Sequence, residues 1–535
     1  MSGARGVSGD PVFLAIDAGT GSVRAIAFDE GGRAVARAAR EWTHAATPGH
    51  PGGADFDTTG GWQLISSAVR EVVGLLRGRP VAAVGVSSMR EGFVLYDEHG
   101  DEIFACPNTD GRARDQAEQL TRRGLADRIY ELAGDWVSIT APARLLWLQQ
   151  ERPEVFAAAR HLGMLSDWVV YRLTGEFTTD PTCGSSSALF DLAARDWSGE
   201  LAAAVDLPAR ILPQALEPGS TAGAITAAAA EATGLPAGTP VLVGGGDTQL
   251  ALHGIGATAG TPTVVAGTFW QTTYISDAPT IDPGRRIRTG CYVTPGTWMV
   301  EGISFLSGLS MRWFRDAFCP DATAEGGNAY DAMERWASAA PRGSNGLVAV
   351  LSNIMQADAW HHAAPAFVGF DINAPERFDR GTFVRAIEEA AAYVARGHLD
   401  ILDEVTGGRA RASGELVLTG GSSAGVLWPR IIAETTGLSV RPSTAPEATS
   451  YGAARLAAAS VGAELPPAGR SDRIVVPEPA AIDEYDAAFE RWRRVYLAQL
   501  AATEASGIAP LFTPPGGLAY RTDPTTTRAK DTIYG

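Results

Sequence analysis

Lysine is all but missing from this chain. Of its 44 Lys and Arg residues, Lys530 is the only lysine. That excludes phosphate loops built on Gly-Lys-Ser/Thr and the strand lysine of protein kinases. It also argues against Schiff-base and pyridoxal-phosphate chemistry, which needs a buried lysine that a tail residue is ill placed to supply. Cysteine is scarce too. Cys106, Cys183, Cys291 and Cys319 lie far apart and form no C-x-x-C pair, which argues against a zinc site or a disulfide framework. No apolar run approaches the ~18 residues of a membrane span. Residues 1–10 have no apolar core of the kind a signal peptide carries, so the cytoplasm is the expected compartment. Positive charge is short overall. The net charge of −17 disfavours nucleic acid as a partner, because that needs a basic surface. An anionic ligand must then be held by local groups rather than by the field of the whole molecule.

What is present is ordinary globular material. The 535 residues are 45% hydrophobic and 20% charged, enough for two or more domains. The stretch Phe13 to Asp29 organises the rest. Val12 to Ile16 reads as a buried strand, and Val23, Ile26 and Phe28 as a second. Between them, Asp17-Ala-Gly-Thr-Gly-Ser22 is a tight turn that can aim N–H groups and two hydroxyls at one spot. A phosphate suits that spot. Asp17 carries the wrong sign for phosphate unless a cation lies between them, so it is read as facing Mg2+.

Further on, Trp62 to Leu76 has helical apolar spacing, and Val81 to Ser87 reads as a strand ending near Arg90-Glu91. Arg112 to Arg128 reads as one amphipathic helix and Ala222 to Thr233 as an Ala-rich one. The opening pattern then recurs. Thr263 to Ala266, the Gly267-Thr268 turn and Phe269 to Ile275 repeat strand, Gly-Thr turn, strand. Two such hairpins imply two related α/β domains with ligands between them. Gly302 to Phe318 and Phe378 to Val405 read as helical. Gly420-Gly-Ser-Ser-Ala-Gly425 links a strand to a helix, where N–H groups suit a phosphate and glycines let a base or ribose lie close.

Asp247 follows Gly244-Gly245-Gly246 at a strand end. A carboxylate there can accept the proton of an alcohol, or can simply cap the helix that starts at Thr248. Arg90-Glu91 offers a mixed donor and acceptor pair for a polyhydroxylated substrate, with a solvated surface pair as the plainer alternative. Asp110 is a weaker candidate of the same kind. Trp270 can wall a small substrate or sit in the core. His361-His362 after Trp360 do not share a face and are not read as a metal site.

The order Asp-x-Gly-Thr-x-Ser-x-Arg from Asp17 to Arg24, then Arg90-Glu91, Gly245-Gly246-Asp247, Gly267-Thr268 and Gly420-Gly421-Ser422 resembles the FGGY carbohydrate kinases from about Phe13 to about Leu500. The resemblance implies an α/β fold of two actin-like (ribonuclease-H-like) domains with a nucleotide cleft between them. Residues 1–255 would form the substrate and phosphate side, 256–505 the adenosine side, and 506–535 a poorly ordered tail. It implies ATP and Mg2+, with Asp247 as general base and Asp17 toward the metal. Thr20, Gly21, Ser22, Arg24, Gly267 and Thr268 would face phosphates, and Gly308, Gly420, Gly421 and Gly425 the adenosine. Arg90, Glu91, Asp247 and Trp270 would face the acceptor.

Four stretches, beginning at Ser88, Gly267, Gly308 and Trp360, resemble a branch acting on the terminal hydroxyl of a linear C5 dihydroxydione. A pentulose kinase (xylulose or ribulose) and a non-catalytic actin-like sensor are the rivals. Ile139 stands where glycerol kinases carry a substrate-contacting tyrosine, Arg144 where the family often has lysine, and Ala266 where the branch has glycine. The expected partners are a small carbohydrate-like molecule and at most a second copy in a homodimer, with neither nucleic acid nor membrane.

Overall fold

The computed structural model describes residues 9–267, 269–304, 306–322, 328–354, 362–443, 445–469 and 471–508. Thr268, Trp360, His361 and the tail beyond residue 508 lie outside the described residues.

Two sheets organise the chain, and each is built the same way. In the first, Val12–Ala18, Ser22–Phe28 and Ala34–Glu41 run as an antiparallel meander. Val81–Ser88 then adds parallel to the first strand, followed by Pro240–Leu242. In the second, Thr263–Ala266 and Trp270–Ser276 form the hairpin, and Trp298–Ser304 continues it antiparallel. Glu415–Gly420 and Ser439–Ser443 add parallel on the other side. In both sheets the strand before the glycine turn sits in the middle, buried on both faces. The apolar residues of Val12–Ala18 and of Thr263–Ala266, where only Val265 is partly exposed, fit that position.

The second domain's core is threaded by the helix Arg380–Val405, whose Ala-rich faces let it pass through the interior. The helix Ala448–Ser460 follows the last strand of the second sheet in sequence, yet its Ala453 and Tyr451 pack in a hydrophobic cluster shared with first-domain residues such as Phe13, Phe28 and Leu250. It crosses the helix Asp247–Gly254 at two glycines. A Cβ on Gly452 would lie 1.9 Å from the Leu250 carbonyl oxygen, and one on Gly254 would lie 2.3 Å from that of Ala448. Only hydrogen fits at either position, so this crossing joins the two domains backbone to backbone.

Three local expectations are corrected. The stretch 112–128 is two helices, Arg114–Arg122 and Leu125–Ala133, because Gly124 at φ 72° breaks the run. Thr221–Ala224 is a strand paired with Pro240–Leu242, and the helix begins only at Ala227, capped by the Thr226 hydroxyl. Gly302 to Ser304 belong to a strand, and the helix that follows is Ser307–Phe318. In the last two cases sheet pairing overrides residue propensity.

Candidate active site

The site assembles where parallel strands end. Asp17 lies near the end of Val12–Ala18 and pairs in register with Ser87. Arg90 and Glu91 lie just past Val81–Ser88. Gly245 and Gly246 pair with Ser87 and Ser88, and Asp247 follows them directly. Three segments distant in sequence therefore deliver their polar side chains to one end of one sheet, the usual place for a ligand in an open α/β sheet.

Asp247 is the first residue of its helix, after Gly246 at the cap position. Its side chain does not cap in the ordinary way. Oδ1 accepts from the Thr248 N–H at 2.7 Å and lies 3.7 Å from Arg90 Nε. The side chain keeps 36% of its surface, so it faces the cleft rather than the interior. Burial of its surroundings raises its pKa, and Glu91 adds to the rise against the pull of Arg90. A carboxylate shifted upward is a better proton acceptor.

Arg90 and Glu91 are not a solvated pair. Both are buried, and Glu91 has left-handed backbone at φ 63°. Arg144 holds it there, donating to the Glu91 carbonyl at 2.7 Å and to those of Asp110 and Asn108 at 2.7 and 3.1 Å. Their side chains meet ions from the other domain. Arg90 Nη1 donates to Glu301 Oε1 at 2.6 Å, and Arg288 Nη2 donates to Glu91 Oε1 at 2.5 Å. Arg288 Nε is 2.8 Å from the same Glu301 oxygen, and its Nη1 is 3.6 Å from Asp135. Burial works to raise the Glu301 carboxyl, but Arg90 and Arg288 outweigh it and hold it below the usual range.

At the phosphate end, Asp17 is buried with Oδ1 unpartnered, and so is the neighbouring Ser87 hydroxyl oxygen. Burial, then the Asp247 carboxylate, push the Asp17 carboxyl up to about 7 against the pull of Arg24. An orphaned carboxylate oxygen facing a second carboxylate is a setting a divalent cation would relieve. Mg2+ commonly takes only one or two carboxylates and fills its shell with water and substrate phosphates. The residues present are compatible with that ion, and Asp17 is the residue that would hold it.

Arg24 reaches Asp17 at 3.8 Å and Glu447 at 3.4 Å, so it too spans the domains. Glu447 stands at the start of its helix with φ 59°. The first turn is braced from beneath. Trp42 Nε1 donates to the Gly19 carbonyl at 3.0 Å, and His44 Nε2 lies 2.8 Å from that of Thr20. Asn108 donates to the Thr20 hydroxyl at 3.0 Å, which leaves that hydroxyl's own hydrogen to give. Gly21 is exposed, with Thr20 and Ser22 half-buried beside it.

The second turn comes to the same place. Gln271, just beyond it, donates to the Thr248 hydroxyl at 3.4 Å, one residue from Asp247. Gly267 is exposed, and its N–H closes the turn on the Phe269 carbonyl. Gly420 pairs with Ala266 in the sheet. At φ 97°, a Cβ there would lie 2.4 Å from the Ala266 carbonyl oxygen. The Gly420 loop and the second turn are thus neighbours. Gly421 is exposed, with nothing within 4 Å of where a Cβ would sit, and Gly308 is half-buried near the start of Ser307–Phe318.

Three readings of single residues change. Trp270 is fully buried and packs on Trp428 with ring centres 4.9 Å apart, so it is core and not a substrate wall. Asp110 is structural, since its carboxylate accepts from Arg112 Nε at 2.8 Å and the Ala54 N–H at 2.9 Å. The N–H groups of Val426 and Leu427 are bonded to Glu334 Oε1 at 2.6 Å each, and a Cβ on Gly425 would meet the same oxygen. That helix start therefore already holds an anion and offers no place for a phosphate.

Sequence comparison agrees with this architecture. Residues 12–254 match the N-terminal domain of the FGGY family of carbohydrate kinases, and residues 262–461 match its C-terminal domain. The chain belongs to the FGGY family of carbohydrate kinases. It is similar to an autoinducer-2 kinase from Salmonella paratyphi B, 38% identical over 520 residues, covering 94% of this chain and 97% of that protein. An autoinducer-2 kinase from Yersinia pestis is 39% identical over 525 residues, covering 95% and 98%. Among solved structures, a xylulose kinase from Rhodospirillum rubrum superposes with a TM-score of 0.82 at 25% identity, covering 92% of this chain and 99% of that one. The fold is the two-domain actin-like one, and the chain is an ATP-dependent carbohydrate kinase. Among the described residues, no helix is long and apolar enough to cross a membrane.

Proposed function

We propose that this kinase phosphorylates the terminal hydroxyl of a small, neutral, linear C5 polyol or carbonyl compound. Its first candidate substrate is 4,5-dihydroxypentane-2,3-dione, the quorum signal autoinducer-2. The observation that carries the reading is Asp247: a cleft-facing carboxylate with a raised pKa, beside Arg90, at the mouth where Gln271 arrives from the other domain. Likeness to autoinducer-2 kinases over nearly the whole chain supports the choice of substrate.

In this reading Asp247 takes the proton of the attacking hydroxyl, and Arg90 and Glu91 orient the acceptor's oxygens. Thr20, Gly21 and Ser22 supply hydroxyl and N–H donors to the phosphates, Thr268 supplies them from the opposite wall, and Gly267, whose N–H is spent on the Phe269 carbonyl, lets a phosphate lie close. Arg24, partly exposed between Asp17 and Glu447, adds a positive charge there. Mg2+, when bound near Asp17, neutralises phosphate charge as it does in phosphoryl transfer generally. Gly308, Gly420 and Gly421 would admit the adenosine. In the same reading the domains would meet near residue 255, with 1–255 and 256–505 on either side.

A pentulose acceptor is the second reading, favoured by the likeness to the xylulose kinase. Coupled detection of ADP release across dihydroxypentanedione, xylulose and ribulose separates the two. A nucleotide-binding sensor without catalysis would release no ADP with any of them.

A further inference from the structure

Four buried charges and one that faces the cleft alternate in sign across the domain boundary: Glu91, Arg288, Glu301, Arg90 and, in the cleft, Asp247. The links are 2.5 Å from Glu91 to Arg288, 2.8 Å from Arg288 to Glu301, 2.6 Å from Glu301 to Arg90 and 3.7 Å from Arg90 to Asp247. Glu91, Arg90 and Asp247 come from the first domain. Arg288 and Glu301 come from the second, as a directly opposed pair on adjacent antiparallel strands. Arg288 and Glu301 are 4% and 1% exposed. Asp135 flanks Arg288 at 3.6 Å.

Among the described residues, the ion pairs of Arg288 and Glu301 are with Glu91, Asp135, Arg90 and each other, and none is with Asp17 or Arg24. Arg24 and Glu447 make the cross-domain contact at the phosphate end. The chain of charges runs only to the groups assigned to the acceptor. Arg90 could turn fully onto Asp247 and neutralise the base, but Glu301 holds its Nη1 in the closer bond. Glu91 could swing out of the site, but Arg288 grips its carboxylate.

We propose that Arg288 and Glu301 are positioning residues for the acceptor, supplied by the second domain to complete a site whose contact groups belong to the first. They fix Arg90 and Glu91, and they do so only when the domains stand together, so acceptor recognition is tied to closure. The inference rests on the kinase reading above and adds to it the residues that read the acceptor from the far wall.

A purely structural latch would also bury these ions, so the test must separate the two substrates. Arg288→Gln, Arg288→Lys and Glu301→Gln are compared with the wild type, using the best neutral C5 acceptor of the panel. The expected result is a KM for acceptor raised at least about tenfold in Arg288→Gln and Glu301→Gln, with KM for ATP within about twofold. Arg288→Lys should fall between, because it keeps the charge and loses the fork. Calorimetric titration of acceptor into protein holding a non-hydrolysable ATP analogue should show the same order without turnover.

Equal rises in both KM values, or a lowered melting temperature with an unchanged acceptor KM, would overturn the proposal in favour of a latch. If Arg288→Gln does not fold, Glu301→Gln, which keeps the shape of the side chain, carries the same comparison. Failure of the wild type to phosphorylate any acceptor would count against the kinase reading itself. An active wild type with unaffected variants counts against this inference alone.

Discussion

Arg90 faces Asp247 but does not pair closely with it. Its Nη1 is 2.6 Å from Glu301 Oε1, while its Nε stays 3.7 Å from Asp247 Oδ1. The proposed general base is therefore steadied by a cation without being silenced by one. A tight bidentate pair would favour the ionised carboxylate and weaken it as a proton acceptor. Glu301 competes for the guanidinium, and burial does the rest.

Asp247→Asn keeps the shape and removes the base. Turnover should fall by at least ~10²-fold, while ATP affinity, measured by calorimetry, should stay near the wild-type value. Near-normal turnover in the variant would remove Asp247 from the role.

Asp17→Asn tests the cation site. The buried, unpartnered Oδ1 of Asp17 is the group a divalent ion would meet. Chelation of Mg2+ should abolish transfer by the wild type. The variant should need roughly tenfold or more Mg2+ for half-maximal rate, in line with losing a direct ligand. An unchanged Mg2+ requirement would place the ion elsewhere.

Acceptor charge should matter. Asp135, Glu91, Glu301 and Asp247 face only Arg90 and Arg288 in this network. An aldonate would add another negative charge where carboxylates already outnumber guanidiniums. Activity with five-carbon aldonates should lie at least about tenfold below that with neutral acceptors in kcat/KM. Comparable activity with an aldonate would contradict the charge count.

Stability without ligand should fall as pH rises from about 6.5 to 8. Burial pushes the Asp167 carboxyl up to about 8. It is then protonated in the fold and ionised in the unfolded chain across this interval. The native state binds more protons, so ΔG of unfolding declines with pH. Buried histidines such as His253, pushed down to about 4, act in the opposite direction, but only below this interval. Asp167→Asn should flatten the melting-temperature profile, whereas an unchanged slope would assign it to other groups.

The helix crossing makes a mechanical prediction. Gly452→Ala sets a methyl group 1.9 Å from a backbone oxygen, which cannot move without shifting the helix Asp247–Gly254. Denaturant unfolding should show a loss of about 1–3 kcal/mol or more. Asp247 rides on that helix, so turnover should suffer as well.

Much of this was legible in the sequence wherever a glycine turn follows an apolar run. The hairpins around Gly19 and Gly267, the Gly420 loop and Asp247 all announce themselves locally. The repeat proved deeper than two turns, since both sheets share one strand order. What stayed hidden came from distance. Arg288 and Glu301 look like ordinary strand residues until pairing sets them opposite each other and domain packing brings them to Arg90. His44, Gln271 and Glu447 act through contacts with far segments. A tryptophan beside a glycine turn can face either way, and here Trp428 receives Trp270 in the core. Thr221–Ala224 carries no strand signal of its own and is a strand because Pro240–Leu242 offers it an edge.

Transfer of a phosphoryl group to a small neutral alcohol by two turns and one aspartate is the proposed reaction. It is tested most directly by the rate of ADP release from Mg2+ and ATP, with and without 4,5-dihydroxypentane-2,3-dione, in the wild type and in Asp247→Asn. The account predicts strong stimulation by the dione in the wild type and almost none in the variant. ADP release that ignores both the dione and the pentuloses, or stimulation that survives in Asp247→Asn, would contradict it.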